Sequence, residues 1–130
     1  MKTVFVNGCF DILHRGHIEL FVYARSLGDR LIVAIDSDEK VQADKGATRP
    51  FNSLEDRKYV LSRLRDIDEV LDFKTAKELE DLIFSIKPDI MVVGSDWRGR
   101  SIIGGQHAGK IEYFERIEGY STTRIITNRS

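Results

Sequence analysis

Ten residues near the start of the chain, Gly8-Cys9-Phe10-Asp11-Ile12-Leu13-His14-Arg15-Gly16-His17, gather two of the three histidines together with an acid, a thiol and two glycines. The chemistry they suit is the binding of an anion. Gly8 permits a tight turn and lets a ligand approach the backbone closely. Gly16 and His17 open a helix whose first N–H groups and positive dipole end favour negative charge. His14 and His17 are three apart, so if the first turn includes both they share a face and one phosphate is within reach of both. Competing readings are a plain helix cap or a solvated histidine. A zinc set of His14, His17 and Cys9 or Asp11 does not close, because no second Cys or His cluster completes a tetrahedron, so no protein-held metal is expected. Cys9 has no identifiable activating base, which makes it a small strand-end residue rather than a nucleophile. Asp11 either orients an imidazole or a metal ion, or caps the turn that follows it.

A turn of this kind needs a strand before it and a helix after it, and the sequence supplies both. Thr3 to Val6 is a short β-branched and aromatic run ended by Asn7-Gly8. From His17, the residues Ile18, Phe21, Ala24 and Leu27 recur every third position until Gly28. Leu31 to Ile35 is almost continuously apolar, as in a strand covered on both faces. The polar stretch from Glu39 to Asn52, with Lys40, Lys45, Arg49 and Pro50, is expected to be a mobile loop of functional length. Ser53 with Asp56, and Thr75 with Glu78, mark two more helix starts. Leu54, Val60, Leu61 and Leu64 form the apolar stripe of the first, and Leu79, Leu82, Ile83 and Ile86 that of the second, which Pro88 ends. Glu69 to Phe73, Ile90 to Val93 and Ile111 to Phe114 are further strands, Gly94 to Gly109 is irregular, and Ser121 caps a short terminal helix. Strands alternating with helices imply a single α/β, Rossmann-like domain over 1–130: a parallel sheet with helices on both faces and right-handed crossovers. Ligands of such sheets bind beyond the carboxyl ends of the strands. That rule brings Gly8 to His17, Asp36 to Arg49, Gly94 to Arg100 and Glu118 to Thr123 to one rim.

Composition narrows the classes. With 130 residues the chain suffices for one compact core and not for two ordinary domains. Twenty Lys and Arg against twenty-one Asp and Glu give a net charge of −1, which removes the bulk electrostatic case for nonspecific nucleic-acid binding. The single cysteine forms no internal disulfide, and no run approaches a membrane span or a secretory leader, so a cytoplasmic protein without membrane or nucleic-acid partners is expected.

The segment GCFDILHRGH resembles the signature of the HxGH nucleotidyltransferases, within them the cytidylyltransferase-like group that includes glycerol-3-phosphate cytidylyltransferase and heptose-1-phosphate adenylyltransferase. LGDRLIVAIDSD resembles the second strand of that group and RPFNSLEDR its arginine-bearing helix start. GSDW at Gly94 to Trp97 and RIEGYSTTRI at Arg116 to Ile125 resemble late motifs of the glycerol-3-phosphate enzymes. The resemblance covers nearly the whole chain. It implies transfer of a nucleoside monophosphate from a nucleoside triphosphate to a small phosphorylated polyol or sugar, with release of pyrophosphate and with Mg²⁺ entering on the triphosphate.

By the same resemblance His14, His17, Lys45 and Arg116 are the catalytic set. Nucleotide binding falls to Gly8, Cys9, Phe10, Asp11, Gly16, Gly94 and Asp96, with Arg116, Glu118, Tyr120, Ser121 and Thr122 as the other half of the cradle. Asp36, Lys45, Arg57 and Trp97 face the acceptor, although Arg57 equally suits an ion pair with Glu55 or Asp56, and Trp97 equally suits core packing. The late motifs favour CTP as donor; the alternative, drawn from NGCFDILHRGH and RPFNSLEDR, is an ATP-dependent adenylyltransferase acting on heptose 1-phosphate or a related sugar phosphate. A nucleotide sensor without turnover is the competing class, separable by pyrophosphate release. Family members are commonly dimers, and a homodimer is expected.

Overall fold

The computed structural model describes residues 1–115. Five parallel strands, β1 (Thr3–Gly8), β2 (Arg30–Asp36), β3 (Glu69–Phe73), β4 (Ile90–Gly94) and β5 (Lys110–Phe114), form one sheet in the order β3-β2-β1-β4-β5. The order reverses between β1 and its neighbours β2 and β4, the crevice where sheets of this kind take ligands. Register puts Gly8 opposite Ile35, so the turn after β1 starts beside Asp36.

Alternation along β1 explains the two-sided core. Val4 and Val6 face helices α1 (Arg15–Ser26) and α3 (Leu54–Ser62), where Phe21, Ala24 and Leu61 are buried with Leu31, Val33 and Ile35. Phe5 points to the opposite face, under α4 (Ala76–Ile86), where Leu79 and Ile83 pack with Ile32, Ala34, Phe73 and Met91. Period-two side chains buried on both sides give the continuous apolar runs seen in the strands. The α3 and α4 starts are capped as their sequences predict: Ser53 accepts from Asp56 N–H and Thr75 from Glu78 N–H. The Glu78 carboxylate accepts from Lys74 N–H, one residue before the cap.

One expectation is corrected. The stretch expected to be a loop from Glu39 to Asn52 begins with a helix, α2 (Asp38–Lys45), and only its second part is irregular. Ser37 caps α2 by accepting from Lys40 N–H, and acids stand in the first turn and Lys45 in the last, matching the helix dipole. Lys40 pairs with Asp44 at 2.6 Å and lies 3.7 Å from Asp36. With Val41 as its one buried residue, α2 has no apolar stripe to reveal it by periodicity. The irregular stretch after β4 contains two short 3₁₀ turns, Ser95–Trp97 and Gly105–His107. The terminal helix expected from Ser121 lies outside the described residues. Among the described residues, no helix is long and apolar enough to cross a membrane.

Candidate active site

The turn between β1 and α1 is built around one unusual residue. Phe10 has φ 49°, a left-handed conformation that costs an L-residue roughly 1–2 kcal/mol. Gly8, expected to make the turn, instead makes room: a Cβ there would stand 2.9 Å from the Phe10 ring. The ring is 8% exposed, edge-on to Phe21 at 5.1 Å and to His17 at 5.3 Å. Burying an aromatic side chain returns about 1.5–3 kcal/mol, enough to hold the strained backbone. Phe10 therefore supports the His17 ring from the core side.

His14 is the N-cap of α1, one residue before the helix proper, rather than a member of its first turn. Its Nδ1 accepts from Gly16 N–H at 3.0 Å, and His17 Nδ1 accepts from His14 N–H at 3.2 Å. The two rings stack with centroids 3.9 Å apart. Imidazole caps thus take up helix-start donors expected to face an anion directly. A neutral imidazole that accepts at Nδ1 carries its proton on Nε2, so the cap sets both tautomers and makes each Nε2–H a donor. The helix start offers its positive character through two stacked rings.

Asp11 is buried, 5% exposed. Its carboxylate accepts from Phe51 N–H at 2.7 Å and Asn52 N–H at 2.8 Å, while its carbonyl accepts from Asn52 Nδ2–H at 2.8 Å. Of the two roles left open by the sequence, these contacts belong to a turn clamp, here on the segment before α3. Arg57 closes the same network from the other side. Its side chain is fully buried and donates to the carbonyls of Asn52, Cys9 and Asp36 and to Asp38 Oδ1, all at 2.8–3.0 Å. The guanidinium therefore fastens four segments of the rim together, and its ion pair is with Asp38 rather than Glu55 or Asp56. Such a residue holds the site's shape; its fork is not turned outward to an acceptor.

Lys45 is exposed at the end of α2, the helix that follows β2. Burial raises the Cys9 thiol above its ordinary range, with Lys45 and Arg57 opposing in part; a thiol held protonated is no nucleophile. Burial likewise raises the Asp36 carboxyl, opposed chiefly by Lys40. At the end of β4, Gly94 leads into Ser95–Trp97, where the Asp96 carboxylate folds back so closely that a Cβ on Gly94 would lie 2.6 Å from it. Trp97 is 46% exposed, which excludes the core-filling alternative. Among the described residues, Gly8 to His17, Asp36, and Gly94, Asp96 and Trp97 stand at or just beyond the carboxyl ends of β1, β2 and β4, Lys45 ends α2, and Arg57 lies beneath the turn after β1. Arg116, Glu118, Tyr120, Ser121 and Thr122 lie outside the described residues. Sequence reasoning missed Asn52 as a member of the network; its signal, a lone amide before a helix cap, is indistinguishable from an ordinary turn residue.

A model of the cytidylyltransferase-like family matches residues 5–128 of this chain. The chain belongs to the cytidylyltransferase-like family. It is a nucleotidyltransferase enzyme. Among curated proteins it is 46% identical over 125 residues to the bifunctional protein HldE of Campylobacter concisus and 45% identical over 125 residues to that of Helicobacter pylori strain Shi470. Each match covers 96% of this chain but only 26% and 27% of those proteins, so the chain spans about a quarter of their length. Among solved structures, a lipopolysaccharide core biosynthesis protein from Thermoplasma volcanium superposes with TM-score 0.72 at 27% identity, covering 93% of this chain and 99% of that one. A pantoate-beta-alanine ligase from Francisella tularensis shares the fold at TM-score 0.66 and 19% identity, covering 99% and 66%. For a cytidylyltransferase-like domain, the crevice beside β1 is the place where the sheet order and the histidine turn coincide.

Proposed function

We propose that this domain transfers AMP from ATP to heptose 1-phosphate or a closely related sugar phosphate and releases pyrophosphate. The observation that carries the reading is the stacked His14–His17 pair, each ring fixed through Nδ1 so that Nε2–H is the donor, at the start of α1. The curated relatives, bifunctional HldE proteins, favour the adenylyl alternative over the cytidylyl reading taken from the late motifs. The Thermoplasma neighbour, described as a lipopolysaccharide core biosynthesis protein, supports an acceptor of sugar type.

In this mechanism an oxygen of the acceptor phosphate attacks the α-phosphorus in line. A new P–O bond to that oxygen forms as the bond from the α-phosphorus to the bridging oxygen of the β-phosphate breaks, and pyrophosphate leaves with the electron pair. The attacking oxygen is already anionic near neutral pH, so a general base adds little. His14 and His17 donate from Nε2 to the oxygens on which negative charge spreads, a preorganised stabilisation of the kind that dominates phosphoryl transfer. Lys45 adds positive charge from α2, and Asp36, Asp96 and Trp97 border the space around the reacting groups. Cys9, Phe10, Asp11 and Arg57 keep the turn in shape. Arg116 to Thr122 complete the cradle for the β- and γ-phosphates. Mg²⁺ would enter with the nucleoside triphosphate and would screen its phosphate charge. A cytoplasmic homodimer, expected from the family and from the small size of the domain, completes the proposal.

The test is a pyrophosphate-release screen of ATP, CTP, UTP and GTP crossed with heptose 1-phosphate, glycerol 3-phosphate and other sugar phosphates in the presence of Mg²⁺. ATP with heptose 1-phosphate is expected to give the highest kcat/KM. A preference for CTP with glycerol 3-phosphate would restore the cytidylyl reading, and binding of nucleotide without pyrophosphate release from any pair would leave a sensor.

A further inference from the structure

Two arginines lie eight residues apart beside the same turn and are used in opposite ways. Arg57, fully buried, donates four hydrogen bonds. Arg49 has a side chain only 16% exposed, yet its Nε is a buried nitrogen with no hydrogen-bond partner among the described residues. The nearest anion, Asp11 Oδ2, is 3.7 Å from Nε, and both carboxylate oxygens already accept from the backbone of Phe51 and Asn52. Asp11 therefore balances the charge of Arg49 without satisfying its donors. The guanidinium also lies over the Phe51 ring, 5.4 Å from its centroid, a stacked arrangement that limits its rotation.

A buried donor left unmade costs about 1–3 kcal/mol, and five N–H groups in a fixed fork match the oxygens of a phosphate. We infer that Arg49 is the acceptor-recognition residue of this domain, taking the phosphate oxyanion of the sugar phosphate. This inference rests on the transfer reaction proposed above. In-line displacement places the attacking oxygen opposite the departing pyrophosphate, so the acceptor phosphate needs a cation of its own, apart from the donors to the leaving group. Arg49, held against Asp11 in the turn that leads to His14 and His17, is such a cation. Arg49 is thus positioned to select an acceptor that bears a phosphate over a neutral sugar.

The experiment compares wild type, Arg49→Gln and Arg49→Lys by titration calorimetry with two probes, inorganic phosphate and MgATP, and by KM for each substrate in pyrophosphate release. The expected result is at least tenfold weaker phosphate binding for Arg49→Gln with MgATP affinity within twofold of wild type, a matching rise in KM for the sugar phosphate alone, and partial recovery in Arg49→Lys. Loss of MgATP affinity with phosphate binding unchanged would mean that Arg49 reads the triphosphate and would overturn the assignment. Unchanged binding of both probes, or no phosphate binding by wild type, would leave only a structural pair with Asp11 and would overturn it too. If Arg49→Gln does not fold, the same comparison is decided by Arg49→Lys, which retains the charge and loses the planar fork. Should wild type turn over no sugar phosphate at all, the transfer reading fails, while the two binding titrations still decide whether Arg49 is an oxyanion site.

Discussion

His14 and His17 serve two ends with the same rings: Nδ1 accepts from a backbone N–H at the helix start, which puts the proton on Nε2. Substitution should therefore separate catalysis from stability. His17→Ala removes one cap interaction, worth about 1 kcal/mol, and one donor at the reacting phosphate, worth roughly 3 kcal/mol or a hundredfold in rate. Turnover in pyrophosphate release is expected to fall at least tenfold while the melting temperature drops by only about 3 °C; equal turnover in the variant would remove His17 from the chemistry. Cys9 gives a pH-dependent test of the same turn. Burial raises its thiol value, so the folded chain holds that proton to higher pH than the unfolded chain does; the group's contribution to stability is fully present below the unfolded value and is lost as pH rises from there through the raised folded value. Alkylation of Cys9 by iodoacetamide should accordingly have its pH midpoint shifted upward in native protein relative to protein in urea. A downward shift would indicate an activated thiol and contradict the assignment.

At the scale of elements, the rim is held together less by helix propensity than by one buried network. Asp11, Asn52 and Arg57 join the turn after β1, the end of β2, the start of α2 and the approach to α3. Arg57→Met fills much of the same volume but leaves three carbonyls without their donor. A loss of about 3 kcal/mol, read as a lower urea midpoint, is expected; a midpoint equal to wild type would show the network to be dispensable. The strands and helices α1, α3 and α4 are legible in the sequence because burial on one or two faces writes a period into it. Helix α2 is not legible, since its stability comes from Ser37, from acids and bases at fitting ends, and from Lys40 between Asp36 and Asp44 along its side. The site is legible in a similar, partial way. The motif names His14 and His17, but that Arg57 turns inward depends on Cys9, Asp36 and Asp38, which lie 48, 21 and 19 positions away, contacts that no local pattern records; the His14 cap and the left-handed Phe10 rest on near neighbours, Gly16, His17 and Phe21, whose geometry residue types alone do not state.

At the scale of the whole molecule, the sheet order, the histidine turn and membership of the cytidylyltransferase-like family converge on the crevice between β2, β1 and β4. Binding there stabilises the native state by mass action. MgATP at a hundred times its Kd should add about 2.7 kcal/mol and raise the melting temperature by roughly 8 °C, with CTP giving a smaller shift at equal concentration. Equal shifts for all four nucleotides would place discrimination outside the binding step. The most direct measurement is a crystal structure with Mg²⁺ and a non-hydrolysable ATP analogue. The account predicts Nε2 of both His14 and His17 within hydrogen-bonding distance of triphosphate oxygens, with the α-phosphate over the start of α1. A nucleotide bound elsewhere, or imidazoles turned away from its phosphates, would contradict it.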